Sequence, residues 1–354
     1  MAVLSTDNVM IERSGVLYKA TAADIAALAA GGGGSGDVSG PASAVDSAVA
    51  VFDGVTGKAI KASTVRATAD GTLILPLNAS PSPANSGEIK VYSRKVAGRM
   101  LPAFVGFFGI DSLLQPFLGR NKIGYWNPPG NGTTVPGVVG FAAPTVTGFT
   151  AAARTVATTN LFTRMRRLGY GSAATAGSIG FWLNSYQYTV GSPSTLLGGF
   201  TYVVRFGISD AAAVAGARMF MGMRASNTPT NVEPSTLTNC VGVGHGAADT
   251  NLKLYYGGSA AQTPIDLGAN FPTNTLSTDP YELALFSPNN SGDVYWEVTN
   301  LRTGIATAGQ IVNTGATVLP TNTTLIGVWG YRTNNATALA VSLDVMSAYI
   351  ETDL

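Results

Sequence analysis

The sequence predicts an all-β protein that ends in an antiparallel β-sandwich. From about residue 198 onward, short runs rich in β-branched and aromatic residues are separated by clusters of turn residues. The chain of 354 residues contains 43 glycines and 18 prolines, which indicates many tight turns. Its hydrophobic fraction of 45% and net charge of +1 are not the composition of a disordered chain.

The first 30 residues are predicted to form a small anchor. Residues 8–12 and 16–19 have the pattern of two short strands around a glycine-containing turn. Residues 21–28 begin with the spacing of a capping box and predict a short alanine-rich helix. A Gly-rich linker follows at 31–37. One hairpin and one short helix are too small to be stable alone, so we expect the anchor to fold against another chain.

Residues 38–97 are predicted to form a slender stalk. The turn pairs Asp53-Gly54 and Thr56-Gly57 separate very short apolar strands. Such strands cannot bury a face unless another chain supplies the opposite side. The low charged fraction, 12%, also favours an obligate oligomer, because a lone chain of this composition would be poorly soluble.

The segment GDVSGPASAVDSAVAVFDGVTGKAIKAS, residues 36–63, resembles a segment near the N-termini of tailed-bacteriophage fibre, spike and head-decoration proteins. The preceding ERSGVLYKATAADIAAL also looks like the opening of such proteins. In that family the segment forms a β-rich stalk in which three chains wrap together. The resemblance therefore implies a homotrimeric structural protein of a virion that contacts capsid or tail proteins through its N-terminus.

A connecting module rich in glycine and proline is expected at 98–195. Its part from 98 to 130 resembles a module shared among phage virion proteins, which indicates a context and no activity.

Two alternatives to a tail fibre remain open. One is a capsid head fibre or decoration protein without a receptor role, and the other is a spike that cleaves polysaccharide.

Residues 196–354 are predicted to form the sandwich. Strand-like runs occupy 200–208, 218–224 and 252–256, and residues 281–285 and 294–298 form a hairpin around a five-residue turn. The core side of that hairpin is predicted to hold Leu283, Leu285, Val294, Trp296 and Val298. The outward side is predicted to hold Glu282, Tyr295, Glu297 and Thr299. The order of runs is similar to the concanavalin-like jelly roll of lectins and fibre tips.

Residue counts exclude several kinds of chemistry. Because Cys240 is the single cysteine, the chain has no intrachain disulfide and no cysteine-based zinc site, and we expect a small buried side chain there. A Ser-His-Asp triad would have to use His245, the single histidine, which we expect at a surface or interface. The run GVTGKA at 54–59 lacks the spacing of a phosphate-binding loop, so we expect a turn. No cofactor and no metal are predicted.

We predict that the chain is not an enzyme. Cleaving a polysaccharide needs two carboxylates roughly 5–10 Å apart. Glu282 and Glu297 are the first candidates, because they are predicted to face each other across the hairpin. A solvated outer face is the expected explanation of such a pair.

Residues 112–209 contain seven basic residues and no acidic one. The cluster Arg164, Arg166 and Arg167 therefore has no nearby acid and is expected to bond carbonyls and acids of a sister subunit. An anionic glycan, a neighbouring particle protein and, least expected, nucleic acid remain alternatives. The other predicted subunit or particle contacts are Tyr18, Ile25, Leu28 and Phe52.

Sugar-binding sites use exposed aromatic faces with a few polar partners. Tyr331 and Arg332 precede an Asn-Asn pair in a predicted loop, and with Trp329 and Tyr295 they are the candidates for binding host polysaccharide.

No run approaches the roughly 20 apolar residues that a membrane helix needs, so we expect no membrane insertion. The first seven residues lack the features of a secretory signal, so we expect a virion protein made in the host cytoplasm.

Overall fold

The computed structural model describes residues 8–13, 15–23, 43–55, 58–78, 81–107, 111–113, 122–128, 151–183, 187–228, 230–273 and 276–352. The chain divides into two compact units. The first comprises Met1–Ser93 with Val105–Ile110, and the second comprises Arg94–Phe104 with Asp111–Leu354. In the described part of the chain, no helix has the length and apolar character that crossing a membrane requires.

The first unit contains two small antiparallel sheets. Strands β1 (Asn8–Arg13) and β2 (Val16–Thr21) form the predicted N-terminal hairpin. Strands β3 (Ala48–Phe52), β4 (Ile60–Ala67) and β5 (Leu73–Ile74) form a three-stranded sheet in that order. The helix predicted at 21–28 lies mostly outside the described residues.

Strands β3 and β4 are antiparallel, and residues 56 and 57 of their connection lie outside the described residues. The Asp53 amide donates to the Ala59 carbonyl at 2.8 Å, and a strand follows directly. A phosphate-binding loop would instead lead into a helix. The described ends of the connection therefore fit two antiparallel strands and not a phosphate-binding loop.

Strands β6 (Ile89–Val96), β7 (Arg99–Gly106) and β8 (Asp111–Leu113) form a second three-stranded sheet in that order. Ala97 and Gly98 join β6 to β7, with φ angles of 44° and 79°. Two positive φ values in a row are typical of a two-residue hairpin turn. We call residues 94–101 the hairpin tip.

The second unit contains the remaining elements. In chain order they are β9 (Lys122–Trp126), β10 (Ala152–Ala153), helix α1 (Leu161–Arg164), β11 (Leu168–Gly171), β12 (Ile179–Leu183), β13 (Phe200–Ile208), β14 (Arg218–Arg224), a 3₁₀ turn (Pro234–Thr236), β15 (Cys240–His245), β16 (Lys253–Gly257), β17 (Ile265–Asp266), β18 (Pro280–Ser287), β19 (Val294–Asn300), β20 (Ile305–Ile311), β21 (Gly327–Thr333) and β22 (Ser342–Thr352).

These strands form two antiparallel sheets. The eight-stranded sheet has the order β10-β11-β22-β13-β18-β19-β20, with β9 also paired to β22. The six-stranded sheet has the order β12-β21-β14-β15-β16-β17. The chain is thus all-β and ends in a β-sandwich of the predicted jelly-roll class.

The core of the sandwich lies between the two sheets. Side chains from both sheets belong to one buried cluster; they include Tyr202, Val204, Leu283, Leu285, Trp296, Val298 and Leu343 from the eight-stranded sheet and Met219, Met221, Met223, Val241, Val243 and Val328 from the six-stranded sheet. Successive side chains of a strand point to opposite faces, so these positions recur at every second residue. All five core positions predicted for the β18–β19 hairpin are buried, which confirms that prediction.

A second apolar cluster covers the other face of the six-stranded sheet. It contains Phe181, Phe220, Leu237, Cys240, Tyr255, Trp329 and Tyr331. Cys240 is buried as predicted, and burial raises the pKa of its thiol to about 12. The thiol therefore stays protonated and is a packing group.

The sandwich begins earlier in the chain than the sequence predicted. Strands β9 to β12 pair with strands of the two sheets, so the proposed boundary at residue 196 is wrong. These strands have two to five residues each, and β11 and β12 contain glycines. Gly180 lies so close to the Tyr170 carbonyl that a Cβ atom would not fit. Short, glycine-bearing strands lack the alternation by which sequence analysis recognises a strand.

Candidate functional site

A cleft of about 350 Å³ lies on the outer face of the eight-stranded sheet. We call it the hairpin cleft. The hairpin tip contributes Arg94, Val96, Ala97, Arg99 and Leu101, and the sheet contributes Thr201, Val203, Arg205, Glu282, Ala284, Glu297, Tyr349 and Glu351. All of these residues belong to the second unit.

The alternation of the strands determines which sheet residues face the cleft. In β18, Leu283 and Leu285 point into the core, so Glu282 and Ala284 point outward. In β19, Glu297 lies between two core residues and also points outward. The sequence predicts that Glu282 and Glu297 lie on the outward side of this hairpin. In the structure, that side forms part of the floor of the hairpin cleft.

Arg99 fixes the hairpin tip to the sheet. Its guanidinium donates to the Glu351 carboxylate and, at 2.6 Å, to Oγ1 of Thr201. It also lies over the Phe286 ring, 5.6 Å from the centroid. Arg99 and Glu351 are both largely withdrawn from solvent, so breaking their ion pair would leave an uncompensated buried charge.

Gly98 packs against a tyrosine at the same place. A Cβ atom added to Gly98 would lie 2.5 Å from Cδ1 of Tyr295, well inside normal contact. Only glycine therefore allows the turn to approach the ring this closely. The neighbouring Ala97 amide donates to Oε2 of Glu297 at 3.4 Å.

The two carboxylates of the β18–β19 hairpin have different environments. Glu282 pairs in register with Arg205, whose Nε donates to Oε2 of Glu282 at 2.6 Å. Across β18 and β19, Glu282 lies opposite Thr299, while Glu297 lies opposite Ala284. The acids are therefore diagonal neighbours, with backbones about 7–8 Å apart, and do not face each other directly as the sequence suggested.

Burial raises the pKa of Glu297, and the negative charge of Glu282 acts in the same direction. The amide of Ala97 and the charges of Arg94 and Lys95 oppose this shift. Glu282 is neutralised by Arg205, whereas Glu297 retains its proton to a higher pH than an ordinary glutamate.

His245 lies in a different place, at the end of the inter-sheet core. The histidine is buried, with Nε2 2.8 Å from Nη1 of Arg332 and Nδ1 3.1 Å from the Gly246 carbonyl. A guanidinium can only donate, so Nε2 accepts and the Nδ1–H donates to Gly246. The expectation of a surface or interface histidine is wrong, because the ring continues the core-facing row of Val241 and Val243 in β15.

Burial and the adjacent Arg332 charge lower the pKa of His245 to about 3. Its lone pair is occupied by the guanidinium, so the ring is not placed to act as a base. Arg332 in turn bonds Asp210, with Nε 2.9 Å from Oδ1. Asp210 also accepts from the Ser342 amide at 2.8 Å. Since Arg332 belongs to the six-stranded sheet and Ser342 to the eight-stranded sheet, this network ties the two sheets together.

The structure contradicts the exposure predicted for three of the glycan-binding candidates. Trp329, Tyr331 and Arg332 lie in β21 and not in a loop, and all three side chains are buried. Tyr331 donates to the Val232 carbonyl at 2.7 Å within the outer cluster. Both faces of β21 are covered, so its aromatic residues serve packing. The fourth candidate, Tyr295, is half-buried beside the hairpin tip.

The prediction that the arginine cluster contacts a sister subunit is wrong for Arg167. Arg167 is buried, and its Nε donates to Oδ2 of Asp344 at 3.1 Å. Its Nη1 donates to the carbonyls of Thr163 and Met165 at 3.1 and 3.2 Å. Its acid lies in the same chain, 177 residues away in sequence, so Arg167 is not a free subunit contact.

The remaining predicted contact residues have different positions. Arg164, Arg166 and Phe52 are exposed, and Tyr18 lies in β2. Ile25 and Leu28 are outside the described residues. In the described ranges, no group of three or more His, Cys, Asp and Glu side chains is arranged to hold a metal ion.

The sequence pointed to Glu282 and Glu297 but not to the other residues of the cleft, which include Arg99, Arg205, Tyr349 and Glu351. Arg205 and Glu351 are charged residues within strands, and a charged residue in a strand indicates an outward-facing polar position. No pattern in the sequence shows that the hairpin tip packs on this face.

No family model and no curated protein sequence matches the chain. Among solved structures, it is similar to lectin II from Ulex europaeus, with 12% identity and a TM-score of 0.43, over 66% of this chain and 98% of the lectin. It is also similar to peanut lectin, with 13% identity and a TM-score of 0.42, over 65% and 98% of the two chains. A protein of unknown function from Shewanella oneidensis MR-1 has 11% identity and a TM-score of 0.42, over 65% and 85%.

Replacing Gly98 with alanine is expected to detach the hairpin tip from the sheet, because the new Cβ would collide with Tyr295. Gly87→Ala is the matched control. Gly87 has a similar φ of 81°, so its replacement costs the same backbone strain, but nothing lies within 4 Å of its Cβ position. Hydrogen exchange at the Ala97 amide should accelerate in Gly98→Ala alone. Equal protection in the two variants would contradict the docking described above.

His245 is expected to make the protein sensitive to mild acid. Its pKa is about 3 in the folded state and near 6.5 when unfolded, so the unfolded chain binds more protons between these values. The free energy of unfolding therefore falls as the pH is lowered through this window. Between pH 7 and pH 5 the loss should be about 2 kcal/mol from this group. Denaturant titrations should show a shallower pH dependence for His245→Gln, and identical slopes would rule out the buried neutral ring.

Arg167→Ala is expected to lower the free energy of unfolding by about 3 kcal/mol, because it removes one partner of a buried ion pair. Arg154 remains 3.2 Å from Asp344 and limits the loss. The exposed neighbour Arg166 provides the control, since Arg166→Ala should change stability by less than about 0.5 kcal/mol. Chemical denaturation of both variants measures the difference, and similar losses would show that Arg167 is not buried in this pair.

Proposed function

We propose that the chain is a structural subunit of a bacteriophage particle, a fibre or spike protein that assembles as a homotrimer through its first unit. The β-sandwich would then be the displayed module that attaches to host-surface glycan. The observation that carries the proposal is the exposure of apolar side chains on both faces of the first unit's strands.

Strand β3 illustrates this exposure. Val49 and Val51 lie on one face and Phe52 on the other, and all three are exposed, Phe52 to 63%. The other exposed large apolar side chains of the first unit include Val45, Val55, Leu73, Leu77, Ile89 and Val91. Its buried apolar residues, within the described ranges, are Ala84, Tyr92 and Val105. Many exposed apolar side chains beside so few buried ones indicate an interaction site.

Further copies of the same chain are the partner that fits best. A strand that is apolar on both faces needs a neighbour on each side, and wrapping three identical strands around one axis supplies both. The acidic and basic residues of the first unit nearly balance, so mutual repulsion between copies is small. Lys61 and Asp53, for example, pair within one hairpin at 2.8 Å. The resemblance of residues 36–63 to phage stalk segments supports three as the number of copies.

Trimeric display also gives a physical reason for adhesion by a weak site. Three sandwiches held on one shaft bind a repetitive polysaccharide with an effective concentration in the millimolar range for short linkers. The avidity of the assembly can then exceed the affinity of a single site by about 10²-fold or more.

Analytical ultracentrifugation tests the assembly. The full chain is expected to sediment with three times its own mass at micromolar concentration, and its melting temperature should rise with protein concentration. The double variant Val51→Ser with Phe52→Ser should dissociate to single chains, because it removes apolar surface from both faces of β3.

Leu339→Ser is the matched control. Leu339 is also exposed, to 48%, but belongs to the sandwich unit, so its replacement should leave the mass unchanged. A folded, stable single chain in the unmodified protein would overturn the proposal. A separate experiment tests the virion role. Antibody labelling of intact particles is expected to locate the subunit on the head or the tail, and labelling of neither would exclude a virion role.

A further inference from the structure

The hairpin cleft contains groups that the assembly does not use. We propose that it binds an uncharged, hydroxyl-rich ring, the size of one sugar unit of a neutral glycan. This inference rests on the proposed attachment of the sandwich to glycan and identifies the class of ligand and the place where it binds.

The size of the cleft fits a small ligand. Its volume of about 350 Å³ lies at the lower end of the range for small-molecule sites, roughly 300–1,000 Å³. The cleft is lined by the sheet on one side and by the hairpin tip on the other, so a ligand would be enclosed from two directions.

The charges of the cleft favour a neutral ligand. Its lining holds three arginines and three glutamates, and Arg99–Glu351 and Arg205–Glu282 neutralise each other in ion pairs. Arg94 and Glu297 add one charge of each sign. A charged ligand would enter a partly buried site with no net opposite charge, which costs desolvation without compensation.

The cleft offers hydrogen bonds beside an apolar surface. The carboxylates and guanidiniums of the ion pairs have further acceptor and donor positions, since a carboxylate offers about four lone-pair sites and a guanidinium five N–H groups. Val203, Ala284 and Leu101 supply apolar area between them. A sugar ring combines hydroxyl edges with C–H faces, so it matches both features at once.

Glu297 is the acceptor best placed for a ligand hydroxyl. Glu282 and Glu351 are engaged at short range by Arg205, Arg99 and, at 2.6 Å, the Tyr349 hydroxyl. Within the part of the chain that the structure describes, the hydrogen bond made by Glu297 is one long contact of 3.4 Å from the Ala97 amide. A hydroxyl donated by the ligand would complete its hydrogen bonding.

Ligand-observed NMR with matched sugars tests the inference. Glucose, galactose, mannose and N-acetylglucosamine are the neutral probes, and glucuronate, galacturonate and glucosamine carry a charge on the same kind of ring. At least one neutral sugar is expected to bind the full-length protein, and its charged counterpart should bind at least about tenfold more weakly. Binding of charged rings alone would overturn the proposal.

Variants locate the binding. Ala284→Phe fills the cleft and should abolish the signal, while Ala306→Phe, at an exposed alanine on the same sheet face, should retain it. Glu297→Gln keeps the shape and should weaken binding about tenfold, because a neutral amide oxygen accepts a weaker hydrogen bond than a carboxylate. Sugar binding that survives both cleft variants would place the site elsewhere and refute the inference.

The solution mass separates this test from that of the proposed function. A trimer that binds none of the neutral sugars refutes the cleft site and leaves the assembly proposal standing. A single-chain protein that binds a neutral sugar in the cleft supports the site and refutes the assembly.

Discussion

The apolar core between the two sheets is the constraint on which the rest of the second unit depends. Because side chains alternate along a strand, burying Leu283 and Leu285 in the core forces Glu282 and Ala284 onto the outer face. The same constraint turns Glu297 outward from β19. The hairpin cleft is thus a consequence of core packing, since its polar groups stand at the positions that the core cannot use.

Several of the few charges of this chain form ion pairs in its interior. Arg332–Asp210 and Arg99–Glu351 are buried ion pairs, and Arg167 pairs with the fully buried Asp344. Such pairs add little net stability over apolar groups, but they are strongly destabilising when broken, so they fix which segments meet. They also withdraw charge from a surface that has little, because the chain has only 21 basic and 20 acidic residues. A surface depleted of charge favours association, which agrees with the exposed apolar strands of the first unit.

The local sequence pattern was sufficient to predict the fold class and the two sides of the β18–β19 hairpin. Alternation of apolar and polar residues over several positions indicates a strand with one buried face. It failed where both faces of a strand are buried: Trp329 and Tyr331 resemble exposed aromatics, yet an outer cluster covers them. It failed for Arg167 because the acid that pairs with it is 177 residues away. For the site, the sequence supplied Glu282 and Glu297 but not Arg99, since no local pattern encodes the packing of a turn on a distant sheet.

The hairpin cleft depends on the packing of the hairpin tip against the eight-stranded sheet. Arg99 lines the cleft and also holds the tip to Glu351, and Gly98 sets how closely the turn approaches Tyr295. A cleft with walls from two segments exists only while they are in contact, so a ligand that binds it must also stabilise the contact. A change that weakens docking lowers the fraction of molecules in which the cleft is formed, and the apparent affinity for the ligand falls by that fraction. The turn of Ala97 and Gly98 therefore influences both the shape of the cleft and the fraction of molecules in which the cleft is formed.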